Sequence, residues 1–348
     1  MRTRAVRRDD VAAAALSGAV LSHDVPGEPP LRKGRVLRPD DVGELLARAW
    51  DELHVLDMDA DDVHEDDAGA RLAHAAAGSG VGVGEPSAGH WPLVARVRGL
   101  LSVRTGALDA CNTVDGVCVY THLDGRVVDA GETVARAKVT PLVLEGWRVR
   151  AAEGVAEGAG GLVAVRPFAA RTLGVVVQET LDARARARLE GALGEKMGWL
   201  GTRMLPFVHV RRDAGELAAA LAGLRDGGAD VLAVAGTRAM DALDPAFVAL
   251  GAVGATMVRY GVPAHPGSLF WLARLGELPI LGMPTCGLFS QATVFDMLFP
   301  RLLAGDALDH GALSALGHGG LLTREMSYRF PPYRGASQAR GEIPDDAA

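Results

Sequence analysis

From about residue 168 onward, short continuous apolar segments alternate with segments of helical periodicity. The apolar segments have the length of strands, and the segments between them repeat apolar residues every three or four positions. A strand that is apolar at every position is buried on both faces, which is typical of a parallel sheet covered by helices on both sides. The alternation therefore predicts an α/β fold with a three-layer, mostly parallel sheet.

The predicted elements of this region follow that alternation. Strands are predicted at Thr172–Val177, Met204–Val210, Asp230–Ala235, Thr256–Tyr260 and Ile280–Gly282. Helices are predicted at Leu181–Met197, Ala214–Arg225, Pro245–Leu250 and Ser290–Leu303.

Residues 1–167 show a different sequence pattern, with many turns. Within Asp124–Val134, two glycine turns separate short β-prone runs, as in a small barrel or sandwich. We therefore predict a mixed α+β region with β-barrel character. Its predicted helices are Asp40–Ala49 and Asp61–Ala77, its predicted strands are Leu93–Val103 and Val117–Thr121, and its glycine-rich runs Gly80–Gly84 and Gly154–Gly161 are predicted loops. Residues 168–325 then form the α/β domain, and the polar residues 326–348 form a flexible tail.

Composition narrows the functional class. Nearly half of the 348 residues are apolar, the net charge is −7, and the basic residues are scattered rather than clustered. Nucleic-acid binding is thereby disfavoured, because it usually shows a basic patch or stripe. The three cysteines have no metal-ligand spacing, and no apolar run is long enough to cross a bilayer. We predict a reduced, cytoplasmic protein; a signal peptide in the basic, alanine-rich start is the competing interpretation.

Two turns rich in glycine and proline lie close together in the sequence. The first is Gly261–Ser268, and the second follows Leu281–Met283 as Pro284-Thr285-Cys286-Gly287 and opens into a helix. Glycine allows a ligand to approach the backbone closely, and the start of a helix presents free N–H groups that suit an anion. Together the turns predict one polar ligand that carries phosphate.

These segments, in this order, resemble a known family. The matching frame comprises Leu173–Val177, Asp230–Ala235 with Gly236-Thr237-Arg238, Asp241, Asp244, GVPAHPGSLF at 261–270, ILGMPTCG at 280–287 and the helix that ends near Gly305. It resembles the molybdopterin-binding domain of the MoaB/Mog type, which molybdopterin adenylyltransferases and molybdenum-insertion enzymes share. The first half of the chain is similar to the N-terminal part of stand-alone molybdopterin-binding proteins. Those proteins are distant relatives of the insertion enzymes.

The chain departs from that family pattern at three places. Ala235–Met240 replaces a glycine pair followed by Ser or Thr and another glycine. Pro284–Gly287 replaces Pro-Gly-Asn-Pro, and Gln178-Glu179-Thr180 lacks the turn expected after the first strand. The altered turn after Ala235 favours binding without turnover.

The resemblance implies a protein that binds molybdopterin, with or without an adenylyl group, in molybdenum cofactor biosynthesis, insertion or hand-over. An enzyme of this kind would be a molybdopterin transferase assisted by Mg²⁺, with molybdenum as a further partner. Two alternatives stay open: a non-catalytic cofactor carrier or chaperone, and an unrelated nucleotide-binding α/β protein. The resemblance also implies a homodimer or higher oligomer and a client molybdoenzyme.

The turn after the third predicted strand contains the main candidate residues. Thr237 offers an N–H group and a hydroxyl to phosphate, and Arg238 offers a guanidinium. The alternative is an ordinary strand-to-helix turn with a surface arginine. Asp241 and Asp244 are the predicted catalytic residues, which the resemblance assigns to Mg²⁺ or the cofactor. For Asp244, helix capping before Pro245 is the competing interpretation.

His265 and Cys286 lie in the two glycine and proline turns. His265 could donate to phosphate or a pterin carbonyl, and the Cys286 thiol, before a helix, could face the dithiolene or the metal. The alternatives are a solvated histidine and a small buried cysteine. The predicted cofactor-binding set is Gly236, Thr237, Arg238, Gly261, His265, Pro266, Gly267, Ser268, Pro284, Thr285, Cys286, Gly287 and Ser290.

Two further groups in the first half have both a functional and a structural interpretation. The acidic run from Asp57 to Asp67 could bind Mg²⁺ or help to bring in molybdate, or it could complement the positive end of a helix. His23, Lys33 and Arg35 could form a basic edge that faces the ligand of the second domain. The sequence leaves the metal ligands undetermined.

Overall fold

The computed structural model describes residues 1–10, 16–179, 181–283, 293–331 and 333. Contacts divide the chain into an N-terminal unit, residues 1–124 and 128–166, and a C-terminal unit, residues 125–127 together with the chain from Pro167 onward. Each unit has its own hydrophobic core.

The N-terminal unit is a mixed α/β structure with several small sheets. Its strands are β1 Arg2–Arg7, β2 Val20–Leu21, β3 Glu52–Asp57, β4 Asp62–His64, β5 Val81–Val83, β6 His90–Ala95, β7 Gly99–Val103, β8 Val117–Thr121, β9 Val127–Val128, β10 Thr133–Val139, β11 Val143–Glu145 and β12 Val163–Pro167. Strands β9 and β12 cross the boundary between the two units. Its helices are α1 Pro39–Ala47, α2 Glu65–Ala76, α3 Thr105–Asn112 and α4 Gly146–Gly158. Three sheets lie wholly within it, with strand orders β1-β3-β2, β5-β6-β10-β8 and β11-β4.

Several boundaries in this unit differ from the predictions. The predicted helix Asp61–Ala77 begins only at Glu65, because Asp62–His64 pair with β11 and the His64 side chain caps α2 by accepting from the amide of Asp66. The predicted strand Leu93–Val103 is two strands, β6 and β7. The prediction of loops at the two glycine-rich runs is wrong. Gly80–Gly84 contains strand β5, and Gly154–Gly158 forms the last part of helix α4. These strand orders are open paths, so the predicted barrel character stays a prediction.

The C-terminal unit is organised around one seven-stranded sheet. Its strands are β13 Thr172–Val177, β14 Arg203–Met204, β15 Val208–His209, β16 Val231–Ala235, β17 Thr256–Tyr260, β18 Trp271–Leu275 and β19 Leu278–Met283. Its helices are α5 Ala183–Leu200, α6 Ala214–Asp226, α7 Pro245–Ala252, α8 Val294–Leu303 and α9 His310–Ser314. The strand order is β14-β13-β16-β19-β18-β17, with β15 also paired to β13.

Parallel and antiparallel pairs divide this sheet into two parts. Strand β13 pairs in parallel with β14, β15 and β16, and β16 pairs in parallel with β19. Strands β18 and β17 extend the sheet by antiparallel pairing. Strand β18 was not predicted; its apolar residues lie between the Gly261–Ser268 loop and the turn at Gly276.

Helices cover the two faces of the sheet. Alternate residues of a strand point to opposite faces, and the strand residues divide accordingly. Leu173, Val175 and Val177 pack in a core with α5 and α8, whereas Val176 packs in a second core with α6 and α7. Both cores consist almost entirely of fully buried side chains, which explains why these strands are apolar at every position.

The helix boundaries have local causes. Asp182 caps α5 by accepting from the amide of Ala185 at 2.7 Å, so the helix begins at Ala183 and not at the predicted Leu181. The predicted strand Met204–Val210 is interrupted by Leu205–Phe207, where Pro206 has no N–H group to donate to a ladder. The described part of the helix predicted from Ser290 begins at Val294, capped by Thr293.

Candidate functional site

The pairing register of the C-terminal unit brings the predicted turns to one edge of the sheet. Val177 lies opposite Ala235, and Ala235 lies opposite Met283. Gly282 lies opposite Trp271, and Trp271 lies opposite Tyr260. Hence the ends of β16 and β19 and the loop between β17 and β18 are neighbours. Ligands of open α/β sheets bind at this kind of edge, beyond the carboxyl ends of the parallel strands.

The Gly236 turn begins directly at this edge. Gly236 has φ +84°, and a Cβ built on it would lie 2.9 Å from Cβ of Glu179. Both the dihedral angle and the close approach require glycine. The amide of Gly236 donates to the carbonyl of Met283 at 3.3 Å, which joins the turn to the end of β19.

Thr237 presents a polar atom whose bonding capacity is unused. Its side chain is only 7% exposed, and its hydroxyl oxygen has no hydrogen-bond partner among the described residues. Gln178, at the end of β13, is fully buried, and its amide oxygen likewise has no partner there. Buried polar groups are almost always paired with protein, water or ligand. Two such atoms lie at the ends of adjacent strands, at the edge where the Gly236 turn begins.

Asp244 lies at the centre of a hydrogen-bond network that holds the turn. Its Oδ1 accepts from Nε2 of Gln178 at 2.8 Å and from the amide of Ala246 at 3.0 Å. Its Oδ2 accepts from the amide of Arg238 at 3.1 Å and forms an ion pair with Arg212. Arg212 also donates to the carbonyl of Gly236 at 2.8 Å. The capping role considered for Asp244 is confirmed, because it is the N-cap of α7 with Pro245 at the first helical position.

The electrostatics of Asp244 keep it ionised. Burial by itself raises the pKa of this carboxyl, but hydrogen bonds from Gln178 and two backbone amides, together with the charge of Arg212, hold its pKa below the ordinary 3.8. Both oxygens already accept two donors each. The network therefore suits a residue that fixes the turn in place.

Arg238 and Asp241 lie on the solvent side of the same turn. Both side chains are exposed, and the guanidinium of Arg238 makes no hydrogen bond within the described ranges. Asp241 accepts from the amide of Leu243 at 2.9 Å. The segment between Thr237 and Asp244 is not helical, so the two aspartates do not share a helix face. Asp241 is the carboxylate that remains accessible to a ligand.

The first glycine and proline loop packs against the start of α8. The carbonyl of Pro266 accepts from the amide of Val294 at 3.2 Å. Gly267 has φ +116°, and a Cβ there would lie 2.9 Å from Cγ2 of Val294. His265 is exposed, and its backbone forms a bridge to Leu321. Ser268 accepts through its carbonyl from the amide of Val262, which closes the loop.

Replacing Gly267 with alanine tests this packing. We expect a loss of about 1–3 kcal/mol in the free energy of unfolding, because the new methyl group is strained by the backbone angle and meets Val294. Gly254→Ala is the matched control, since Gly254 has φ +77° with open space around the position of a Cβ. Chemical denaturation of both variants gives the difference in the free energy of unfolding. An equal loss in the two variants would show that the contact with Val294 adds nothing to the strain of the backbone angle.

A buried ion pair supports the start of α8. Nζ of Lys196 lies 2.8 Å from both carboxylate oxygens of Asp296, and that carboxylate also accepts from the amide and hydroxyl of Thr293. The hydroxyl of Tyr333 donates to Asp296 at 2.9 Å. Burial, and then the nearby carboxylate, hold the pKa of Tyr333 well above its ordinary value. This pair fixes the cap of the helix against which the Gly267 loop packs.

Five predicted cofactor-binding residues lie outside the described residues: Pro284, Thr285, Cys286, Gly287 and Ser290. The described neighbours on both sides, Met283 and Thr293, are at the same sheet edge as the Gly236 turn and the Gly267 loop. Their binding role stays a prediction.

The candidate residues of the N-terminal unit have local partners. His23 accepts from the amide of His54, and Arg35 forms an ion pair with Asp41. Asp57 binds Arg4, and Asp61 binds Arg150, so much of the acidic run is already paired. In the described part of the chain, no group of three or more His, Cys, Asp or Glu side chains is placed to hold a metal ion.

Sequence reasoning missed Gln178 and Arg212. Gln178 was considered only as part of a departure from the family turn, and Arg212 lies in a polar loop without a motif. One signal was available for Gln178, because it is the first polar residue after six consecutive buried strand positions. Nothing local in the sequence indicates that Arg212 reaches both Gly236 and Asp244.

Comparisons with known proteins give only distant similarities. No protein-family model matches the chain. No curated protein matches it either. Among solved structures, it is similar to a molybdopterin biosynthesis MoeA protein from Pyrococcus horikosii, with 15% identity, a TM-score of 0.29 and coverage of 70% of this chain and 79% of that one. It is also similar to MogA, with 20% identity, a TM-score of 0.25 and coverage of 38% and 92%. A NadC deletion mutant follows, with 12% identity, a TM-score of 0.17 and coverage of 65% and 81%. TM-scores this low do not establish a shared fold.

The helices of the described residues are too short or too polar for a membrane span.

Proposed function

We propose that this protein binds molybdopterin, or its adenylylated form, at the carboxyl edge of the C-terminal sheet. The ordered set of sequence segments that resembles the MoaB/Mog type supports the ligand class. The position of the ligand is inferred from the hydroxyl of Thr237, which is buried and has no partner among the described residues. Thr237 lies between Gly236 and Arg238, whose guanidinium is exposed. The protein would then act in molybdenum cofactor biosynthesis, insertion or hand-over in the cytoplasm.

The donors at the Gly236 turn fit a phosphate group. The Thr237 hydroxyl and the Arg238 guanidinium are hydrogen-bond donors, and an oxyanion bound by arginine gains a charge-assisted bond. The phosphate group of the pterin would pair with the guanidinium of Arg238 on the solvent side of the turn, where Asp241 is also exposed. The loop with His265, Pro266, Gly267 and Ser268, which begins at Gly261, would border the rest of the ligand. Pro284, Thr285, Cys286, Gly287 and Ser290 complete the proposed set.

Within this proposal, the two aspartates differ in their roles. Asp244 holds the turn and is occupied by four donors, so it acts as a positioning residue. Asp241 is the exposed carboxylate that could hold one oxygen position of Mg²⁺. The altered turn after Ala235, together with the full engagement of Asp244, favours a carrier or chaperone over a transferase. Both remain open, together with a client molybdoenzyme and a homodimer or higher oligomer.

Two measurements separate the candidate functions. Mass spectrometry of the small molecule released from the purified protein identifies a pterin or a nucleotide; a nucleotide without pterin would favour an unrelated nucleotide-binding protein. Incubation with ATP, Mg²⁺ and molybdopterin then separates enzyme from carrier, because a transferase forms product and a carrier retains the pterin unchanged.

Replacing Thr237 with valine gives effects of opposite sign on stability and binding. The substitution keeps the shape of the side chain and removes a buried hydroxyl that has no partner. Unpaired buried polar groups are costly, so we expect the ligand-free protein to gain about 1 kcal/mol of stability. Affinity for the pterin phosphate should fall by about two- to tenfold, as expected for one neutral hydrogen bond. Thermal denaturation and calorimetric titration measure the two effects; reduced stability with unchanged affinity would contradict a ligand at Thr237.

A further inference from the structure

The orientation of the Gln178 side chain is fixed by its neighbours. Its Nε2 lies 2.8 Å from Oδ1 of Asp244 and 3.4 Å from the carbonyl of Gly236. Both neighbours are acceptors, and Asp244 is ionised at neutral pH. A reversed amide would set its oxygen against a carboxylate and a carbonyl, so the NH₂ group must face them. The amide oxygen therefore points away from Asp244.

That oxygen is a buried acceptor without a partner. Gln178 has no exposed surface, and its Oε1 has no hydrogen bond among the described residues. An amide oxygen only accepts, so the group that satisfies it must carry an N–H or O–H. A fully ionised phosphate does not suit this oxygen, because its oxygens only accept.

The surroundings of Gln178 are rich in acceptors. Besides its own oxygen, they include the carboxylate of Asp244 and the carbonyl of Gly236. The guanidinium of Arg212 is already engaged with Asp244 and Gly236. The end of β13 therefore suits donors, whereas the solvent side of the turn, with Arg238, suits an anion.

We infer that Gln178 is a specificity-determining residue that accepts a hydrogen bond from the amino group of the pterin ring. This inference rests on the proposed function and adds a direction to it: the ring edge that bears amino hydrogens lies toward β13, and the phosphate lies toward Thr237 and Arg238. A pterin carries such an amino group, whereas the corresponding lumazine has a carbonyl oxygen at that position.

The test compares pterin-6-carboxylate with lumazine-6-carboxylate by fluorescence titration. Wild-type protein should prefer the pterin by about tenfold, since the lumazine sets an acceptor against a buried acceptor. Gln178→Met should abolish the preference by weakening pterin binding. Thr202→Val is the matched control, because Thr202 is also a buried, unpartnered side chain but precedes β14 at the opposite edge of the sheet.

The outcomes separate this inference from the proposed function. If wild-type protein binds both ring systems equally, Gln178 does not recognise the amino group and the inference fails while pterin binding stands. If Gln178→Met loses affinity equally for both probes, Gln178 only positions Asp244, and the inference fails as well. If wild-type protein binds neither probe, the ring is not recognised on its own and the inference fails, whereas the proposed function is decided separately by mass spectrometry of the released small molecule.

Discussion

Replacing Asp244 with alanine is expected to destabilise the C-terminal unit by about 3–5 kcal/mol. The carboxylate is 1% exposed, caps α7 and accepts from Gln178, Arg212 and two backbone amides. Its removal leaves several donors unsatisfied and Arg212 without its counter-charge, which is the costly way to break a buried pair. Chemical denaturation gives the total loss, and hydrogen exchange in Thr172–Val177 and Val231–Ala235 assigns it to this unit.

The pH dependence gives a second check on Asp244. Its pKa is held below the ordinary 3.8, so its folded carboxyl binds a proton less readily than the unfolded one. A depressed pKa contributes stability that is fully present above the unfolded value and is lost as the pH falls through the folded value. The difference in stability between wild type and Asp244→Ala should therefore be largest at neutral pH and shrink below about pH 4. Asp241→Ala is the control, because that carboxylate is exposed and should change stability little.

The alternation of apolar strands and helices was sufficient to predict most of the C-terminal strands and helices, but not β18, α9 or all the ends of the elements. The strand Thr172–Val177 is confirmed residue for residue, because each of its positions is buried and admits only apolar or small polar side chains. Boundaries shifted where a single side chain decides them, as Asp182 does at the start of α5. Such caps depend on backbone geometry that periodicity does not reveal.

The candidate site was predictable only in part. Gly236 could be recognised because glycine is required for a positive φ at a strand end. The network of Gln178, Arg212 and Asp244 could not, because it joins residues up to 66 positions apart that meet only when β13 and β16 pair. β18 was missed as well, and its antiparallel insertion brings the Gly267 loop beside the end of β19.

Replacing Arg238 with alanine is expected to weaken binding of the pterin phosphate by about 1.5–3 kcal/mol, or roughly 10- to 150-fold. The guanidinium is exposed and makes no hydrogen bond to the described part of the chain, and a guanidinium pairs strongly with an oxyanion. For the same reason, the stability of the ligand-free protein should change by less than about 0.5 kcal/mol.

The interaction of Asp244 with this residue is through the Arg238 amide, which every amino acid except proline retains. The turn should therefore keep its geometry in Arg238→Ala, and a loss of affinity would report the guanidinium alone. Arg225→Ala is the matched control: Arg225 is also a surface arginine of the C-terminal unit, but it lies in the last turn of α6 and pairs with Asp226. Calorimetric titration at two salt concentrations completes the test, because a charge-assisted contact weakens as salt rises. Unchanged affinity in Arg238→Ala would move the phosphate away from the Gly236 turn, whereas equal losses of stability with and without ligand would make Arg238 a structural residue.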